Sequence, residues 1–125
     1  MNTDWFLLAS GSLILGLGLF HSVLGEKYLV RRLLRRDNIP HLFGDDSFTK
    51  LTIRYAWHLL TILALGCGAI LLYLAIDANP HKPVAAILAV TFVAAGLWGI
   101  VSTRARHLSW IVLIVAGLLA GVGGW

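Results

Sequence analysis

The sequence predicts an all-α integral membrane protein, an antiparallel four-helix bundle that forms one domain over residues 1–125. The first observation behind this prediction is composition: the 125 residues are 58% hydrophobic and only 13% charged. A soluble domain usually carries about 25% charged residues. The second is that Asp, Glu, Lys and Arg are missing from four long stretches of the chain. Each stretch can hold the roughly 17–25 residues that a helix needs to cross a bilayer core.

We expect the four spans at 5–24, 55–76, 84–102 and 108–125. Backbone groups in lipid must form hydrogen bonds within their own segment, so each span is predicted to be a helix. The first apolar run follows Asp4 and has no Lys or Arg before it, which indicates a span and not a secretory signal. Residues 77–83 contain two prolines and are predicted to form a short turn, so neighbouring helices run in opposite directions.

The basic residues predict the orientation. Nine of the ten Lys and Arg lie in or beside the first and third connections, and only Lys82 lies at the opposite end. The positive-inside rule makes the basic side cytoplasmic and places both termini outside. The same charge predicts contact with anionic lipids of the cytoplasmic leaflet. The chain has no basic surface with interleaved aromatic residues, so we expect no nucleic-acid partner.

After the first span, residues 26–36 predict a short amphipathic cytoplasmic helix. Four apolar side chains fall on one side and four arginines on the other: Leu29, Val30, Leu33 and Leu34 against Arg31, Arg32, Arg35 and Arg36. This segment can extend the first span or lie separately in the membrane interface. Pro40 prevents simple continuation, and the turn at 44–47 predicts a new helix start, with Asp46 or Ser47 as its cap.

Small residues predict where helices approach each other closely. Gly117 and Gly121 form a GxxxG pair, which can pack against a helix of the same chain or support a homo-oligomer. Cys67 is the only cysteine, so it cannot form an internal disulfide and is interpreted as a small packing residue. Trp57 and Trp110 are assigned to an aromatic belt at the inner boundary.

Three histidines are predicted to lie at the same level of the membrane. His21 is near the inner end of the first span, His58 one turn after Arg54 in the second, and His107 at the start of the fourth. In a continuous helix Glu26 would point about 140° away from His21 and share a face with Ser22. Glu26 and His21 are therefore expected to enter one site only if the helix breaks or unwinds at Gly25.

These residues leave several interpretations open. A metal site would use His21, His58, His107 and Glu26 as ligands for Zn, Fe, Mn or Cu, although no HExxH motif or cysteine pair is present. A b-type haem for electron transfer would take His21 and His58 as axial ligands, with glycines making room for the macrocycle. Arg54 could bind an anion or a lipid or quinone head group. Alternatively, the protein is a small structural or assembly subunit in which the histidines meet water or lipid, and Glu26 pairs with Arg54 or Arg104.

Of these, we expect an inner-membrane protein with a histidine-based metal or cofactor site at the cytoplasmic membrane boundary. The residues do not decide whether the protein is an enzyme. Transport is disfavoured because no ionisable side chain lies at the middle of a span.

Three segments also resemble a known group of proteins. HSVLGEKYL at 21–29, LFGDDSFTKLTIRYAWHL at 42–59 and ARHLSW at 105–110 are similar to segments of small, uncharacterised bacterial four-span membrane proteins. The landmark residues of this resemblance are His21, Gly25, Glu26, Arg54, Trp57, His58 and His107. The resembling proteins are bacterial, and the resemblance supports treating the three segments as one pattern. It implies no particular activity.

Overall fold

The computed structural model describes residues 3–76 and 82–124, and all regular secondary structure in these ranges is helical. Helix α1 covers Trp5–Gly25 and continues through a π-helical turn, Glu26–Val30, into the single turn α2, Arg31–Leu33. Helices α3, α4 and α5 cover Ser47–Ile76, Lys82–Thr103 and Ser109–Gly123. The all-α prediction is confirmed. Most of the predicted turn at 77–83 lies outside the described residues.

Three of the helices are long and apolar enough to cross a membrane. They cover Trp5–Leu33, Ser47–Ile76 and Lys82–Val101. Helix α5 is also apolar, but its 15 residues make it only about 22 Å long at 1.5 Å per residue. The fourth predicted span is thus present as a shorter helix than the roughly 30 Å hydrocarbon core requires.

The start of α1 is attached to the end of α3. Asp4 caps α1, because its Oδ1 accepts hydrogen bonds from the backbone N–H groups of Phe6 and Leu7 at 2.9 and 3.1 Å. The backbone N–H of Asp4 donates to the Ala75 carbonyl at 2.8 Å. The other end of α1 lies against Trp57 and His58, so α1 and α3 run in opposite directions.

Small residues bring the helix backbones together, as predicted. A Cβ atom on Gly11 of α1 would lie 2.9 Å from the Gly68 carbonyl oxygen of α3. Ser10 joins α1 to α5 by donating its hydroxyl to the Ala116 carbonyl at 2.7 Å. The main core lies between these helices and α4, and it consists of Leu7, Ile14, Leu71, Leu74, Ala75, Ala85, Leu88, Ala89, Phe92, Ala116 and Ala120.

The predicted amphipathic segment is an extension of α1 and not a separate interfacial helix. Val30 and Leu34 are buried with Ile39 in a second apolar cluster, against Ile53 and Trp57. Leu29 and Leu33, which were expected on the same apolar side, are exposed. Val30 and Leu34, which are four residues apart, face α3, whereas Leu29 and Leu33 do not. Two packed helices contact each other only along a narrow line, so part of the apolar side remains exposed. Helix α3 begins at Ser47, where the turn at 44–47 predicted a helix start.

Candidate functional site

Trp57 organises the basic end of the α1–α3 contact. Its indole lies against Gly25, where a Cβ atom would come within 2.6 Å of Trp57 Nε1 and closer still to the ring carbon Cζ2. The indole N–H donates to the His21 carbonyl at 3.1 Å. The imidazole of His21 stacks on the same indole, with 4.3 Å between ring centroids and 7° between planes. Trp57 therefore lies between two helices and does more than belong to an aromatic belt.

His58, the next residue on α3, contacts a different face of α1. Its Nδ1 lies 2.9 Å from Ser22 Oγ, a hydrogen bond. Its Nε2 lies 3.4 Å from Glu26 Oε2, within ion-pair distance. Ser22 and Glu26 are one helical turn apart and so share a face. Glu26 reaches His58 for this reason, without a break in the helix at Gly25.

Glu26 uses its two carboxylate oxygens differently. Oε1 lies 3.1 Å from Arg54 Nη2 and 3.4 Å from Arg31 Nε. Oε2 is buried and has no hydrogen-bond partner among the described residues, because its 3.4 Å contact with His58 Nε2 does not have hydrogen-bond geometry. Two guanidinium groups thus balance the charge of the carboxylate, while its oxygen Oε2 can still accept a hydrogen bond or bind a cation.

His107 lies beside this cluster, on the exposed connection between α4 and α5. Its Nδ1 lies 2.7 Å from Ser109 Oγ. Two preceding residues, Arg104 and Ala105, have positive φ angles of 52° and 58°. The end of α5 packs against the start of α1, because a Cβ atom on Gly123 would lie 2.9 Å from the Leu7 backbone nitrogen. His107 precedes the start of α5 and therefore lies at the same end of the molecule as His21 and His58.

Two further polar atoms at the α1–α3 contact are buried without a partner. Nε2 of His21 and Oγ1 of Thr61 have no hydrogen-bond partner in the described part of the chain. Thr61 follows His58 by one turn and lies on the same side of α3. Buried polar atoms are normally paired, so the region around His21, Glu26 and Thr61 has polar groups that the described chain leaves unpaired.

The predicted site residues are only partly brought together. Glu26, Arg54 and His58 form one connected group. His21 contacts Trp57 on the adjacent face of α1, and His107 is engaged with Ser109. Within residues 3–76 and 82–124, no group of three or more His, Cys, Asp or Glu side chains is arranged to hold a metal ion. The space beside Gly25, which a haem between His21 and His58 would need, contains the Trp57 indole.

The sequence interpretation missed the roles of Ser22 and Trp57. The signal for Ser22 was available, because its shared face with Glu26 follows from helix geometry alone. The signal for Trp57 was masked by its position near the membrane boundary, where tryptophan is common for other reasons. The glycine at position 25, four residues after His21, was the feature of the sequence that could have indicated close packing of a large side chain such as Trp57 against α1. No protein-family model, curated protein or solved structure gives a significant match to the chain.

Proposed function

We propose that this chain is a cytoplasmic-membrane protein of four antiparallel spans that binds a transition-metal ion at its basic, cytoplasmic end. The proposed ligands are His21, His58, His107 and Glu26. Three helices that are long and apolar enough to cross a membrane and the nine basic residues at one end support the location. Imidazole nitrogen and carboxylate oxygen are suitable ligands for Zn, Fe, Mn or Cu.

The observation that carries the proposal is the pair formed by His58 Nε2 and Glu26 Oε2. They are 3.4 Å apart, which matches the separation of about 3.3–3.4 Å between two ligands of a tetrahedral ion with bonds of about 2.0–2.1 Å. When His58 donates Nδ1–H to Ser22 Oγ, the lone pair of Nε2 faces the carboxylate. Two acceptors that face each other without a hydrogen bond favour a cation between them.

The partners around this pair are those expected around a metal ligand. A ligating histidine usually donates its second ring N–H to a neighbouring acceptor, and a ligating carboxylate is usually hydrogen-bonded itself. Ser22 can take this role toward His58, and Arg54 and Arg31 hold the other oxygen of Glu26. Ser109 stands in a different relation to His107, because its backbone N–H donates to Nδ1 of that ring at 3.4 Å. The arrangement at Ser22 leaves Nε2 of His58 available to an ion.

Completing the site requires side-chain movement. His58 and Glu26 would hold the ion in their present positions. His107 would have to move in from the exposed connection between α4 and α5. His21 would contribute its buried Nε2, an atom without a partner in the described chain. The ligands would thus come from the end of α1, from α3 and from the connection between α4 and α5, and the ion would join these three parts of the chain.

The test is elemental analysis of protein that is purified without a metal-binding tag and then loaded with Zn, Mn, Fe(II) or Cu. We expect about one equivalent of metal per chain, as one shared site requires. His58→Ala and Glu26→Gln should each lower the bound metal at least tenfold. His41→Ala is the matched control, because His41 is an exposed loop histidine outside the cluster, and it should bind as much metal as the wild type.

Three outcomes contradict the proposal. Folded wild-type protein that retains no metal after loading would indicate a structural ion-pair cluster in a small assembly subunit. A Soret band in the absorption spectrum would reassign the histidines to a haem. Equal metal loss in His41→Ala and His58→Ala would show that the binding is nonspecific. Thermal melting of each variant establishes that it is folded before its metal content is compared.

A further inference from the structure

The connection between α2 and α3 and the first residues of α3 expose apolar side chains. We define the aromatic tip as Leu42, Phe43, Phe48 and Leu51. Phe43 is 90% exposed, and its ring meets the edge of the Phe48 ring at a centroid distance of 5.1 Å. Leu42, Phe48 and Leu51 are 48%, 49% and 66% exposed. Exposing several large apolar side chains to water is unfavourable, and such exposure commonly indicates an interaction site.

The backbone of this connection holds the tip in place. Phe43 has a φ angle of 60° and Gly44 one of 101°. The N–H of Leu42 donates to the Asp45 carbonyl at 2.9 Å, which closes the turn. Thr49 Oγ1 donates to the Pro40 carbonyl at 2.8 Å, and Ile39 is buried in the second apolar cluster. The chain therefore presents Phe43 outward from a connection that is attached to α3 at two points.

Strong positive charge lies on the same side of the molecule. The preceding segment exposes Arg31, Arg32, Arg35 and Arg36. Arg31 contacts Glu26, whereas Arg32, Arg35 and Arg36 have no ion-pair partner among the residues that the structure describes. Exposed aromatic groups and arginines in neighbouring segments of one chain are the combination with which proteins bind the surface of anionic membranes.

The length of α3 places the tip at the lipid head groups. Helix α3 has 30 residues, about 45 Å at 1.5 Å per residue. A bilayer with its head-group layers is about 40–45 Å thick. If Ile76 lies at the outer head groups, the first turn of α3 with Phe48 lies at the inner ones. Phe43 touches Phe48 and is therefore at the same depth.

We propose that the aromatic tip inserts into the head-group layer of the cytoplasmic leaflet, while Arg32, Arg35 and Arg36 bind the phosphates of anionic phospholipids. This inference rests on the membrane insertion and orientation of the proposed function, but not on the metal site. In this proposal the aromatic tip contacts the lipids that surround the protein. A second copy of the chain or a soluble protein would be a different occupant, and the experiment below separates them.

The test uses the full chain with Cys67→Ala and one new cysteine that carries an environment-sensitive fluorophore. Phe43→Cys reports on the tip, and Leu118→Cys reports on α5, where Leu118 is exposed. Each protein is reconstituted into vesicles of phosphatidylcholine alone or with 30% phosphatidylglycerol, with spin-labelled lipids as quenchers. We expect shallow quenchers to act on position 43 and deep quenchers on position 118. Quenching at 43 should be at least about twofold stronger in anionic vesicles.

The arginines are tested by the triple variant Arg32→Gln, Arg35→Gln, Arg36→Gln. It should remove the lipid dependence at position 43 and leave quenching at position 118 unchanged. Quenching at 118 without quenching at 43 would overturn the tip proposal and leave a protein partner or a second copy as its occupant. Loss of quenching at both positions would overturn membrane insertion itself. Equal quenching at 43 in both vesicle types would overturn the role of the arginines.

Discussion

Gly25 shows how one missing side chain determines the site. Its backbone angles, φ −63° and ψ −45°, are those of an ordinary α-helix, so the chain does not need glycine here for conformational freedom. What needs glycine is the Trp57 indole, which occupies the volume of a Cβ atom. The helix widens into a π-helical turn only after Gly25, from Glu26 onward. Gly25 therefore allows the contact of α1 with Trp57, and not a break in α1.

Gly25→Ala should destabilise the protein by about 1–3 kcal/mol, because the added methyl group overlaps Trp57 in a close-packed contact. The matched control is Gly16→Ala in the same helix, where an added Cβ has no atom within 4 Å. That change should leave stability equal or raise it by up to about 1 kcal/mol. The measurement is the free energy of unfolding in mixed micelles, with tryptophan fluorescence to follow Trp57. Equal effects of the two substitutions would contradict the contact.

The helices α4 and α5 show how an element uses a small-residue motif. A Cβ atom on Gly117 would lie 2.8 Å from the Ala89 carbonyl oxygen and 2.7 Å from Val93 Cγ2. Gly121, the second member of the GxxxG pair, is looser, with the Ala89 Cβ at 3.7 Å. Gly117 thus packs inside the chain, one of the two uses that the sequence left open. A homo-oligomer through this pair would have to compete with that contact.

Gly117→Ala should lower the free energy of unfolding by about 1–3 kcal/mol, since two helix backbones must separate to admit the methyl group. Gly121→Ala should change it by less than about 0.5 kcal/mol, because the new contact is of ordinary van der Waals length. Oligomeric state, measured by light scattering in detergent, should be the same in both variants. A Gly117→Ala protein that unfolds normally but loses a dimer would place the motif between subunits.

At the scale of the whole molecule, charge and polar chemistry are concentrated at one end. The contacts of His58 with Ser22 and Glu26 join α1 and α3 there, and His107 lies at the same end, in the connection before α5. Asp4 and Ala75 meet at the other end. This asymmetry is the pattern that orients membrane proteins, since basic connections remain on the cytoplasmic side.

A reporter fused after the C-terminus should therefore appear outside the cytoplasm. Alkaline phosphatase is suitable because its disulfides form only in an oxidising compartment. The fusion should have high activity, and the same reporter inserted after Asp45 should have little. Reversed activities would place the basic end outside and with it the entire proposed metal site. Because α5 is short, activity at the C-terminus also tests whether this helix crosses the bilayer.

By itself, the sequence determined the helices, their approximate limits and the end of the molecule that carries His21, His58 and His107. These properties depend on the local lengths of apolar runs and on the positions of charges along the chain. The sequence also singled out Glu26 and Arg54, since few ionisable residues lie near the spans. Helix periodicity placed Ser22 on the same face of α1 as Glu26, although it could not show that this face contacts His58.

Only the tertiary structure decided which side chains touch. Ser22 and His58 are 36 residues apart in sequence, and their contact depends on the rotation of α1 about its axis relative to α3. That rotation is determined by close packing at Gly11, Gly25 and Gly68, because apolar side chains surround most of both helices and hydrophobicity alone does not select one face. For the same reason, the structure and not the sequence placed His21 against Trp57 and His58 against Glu26.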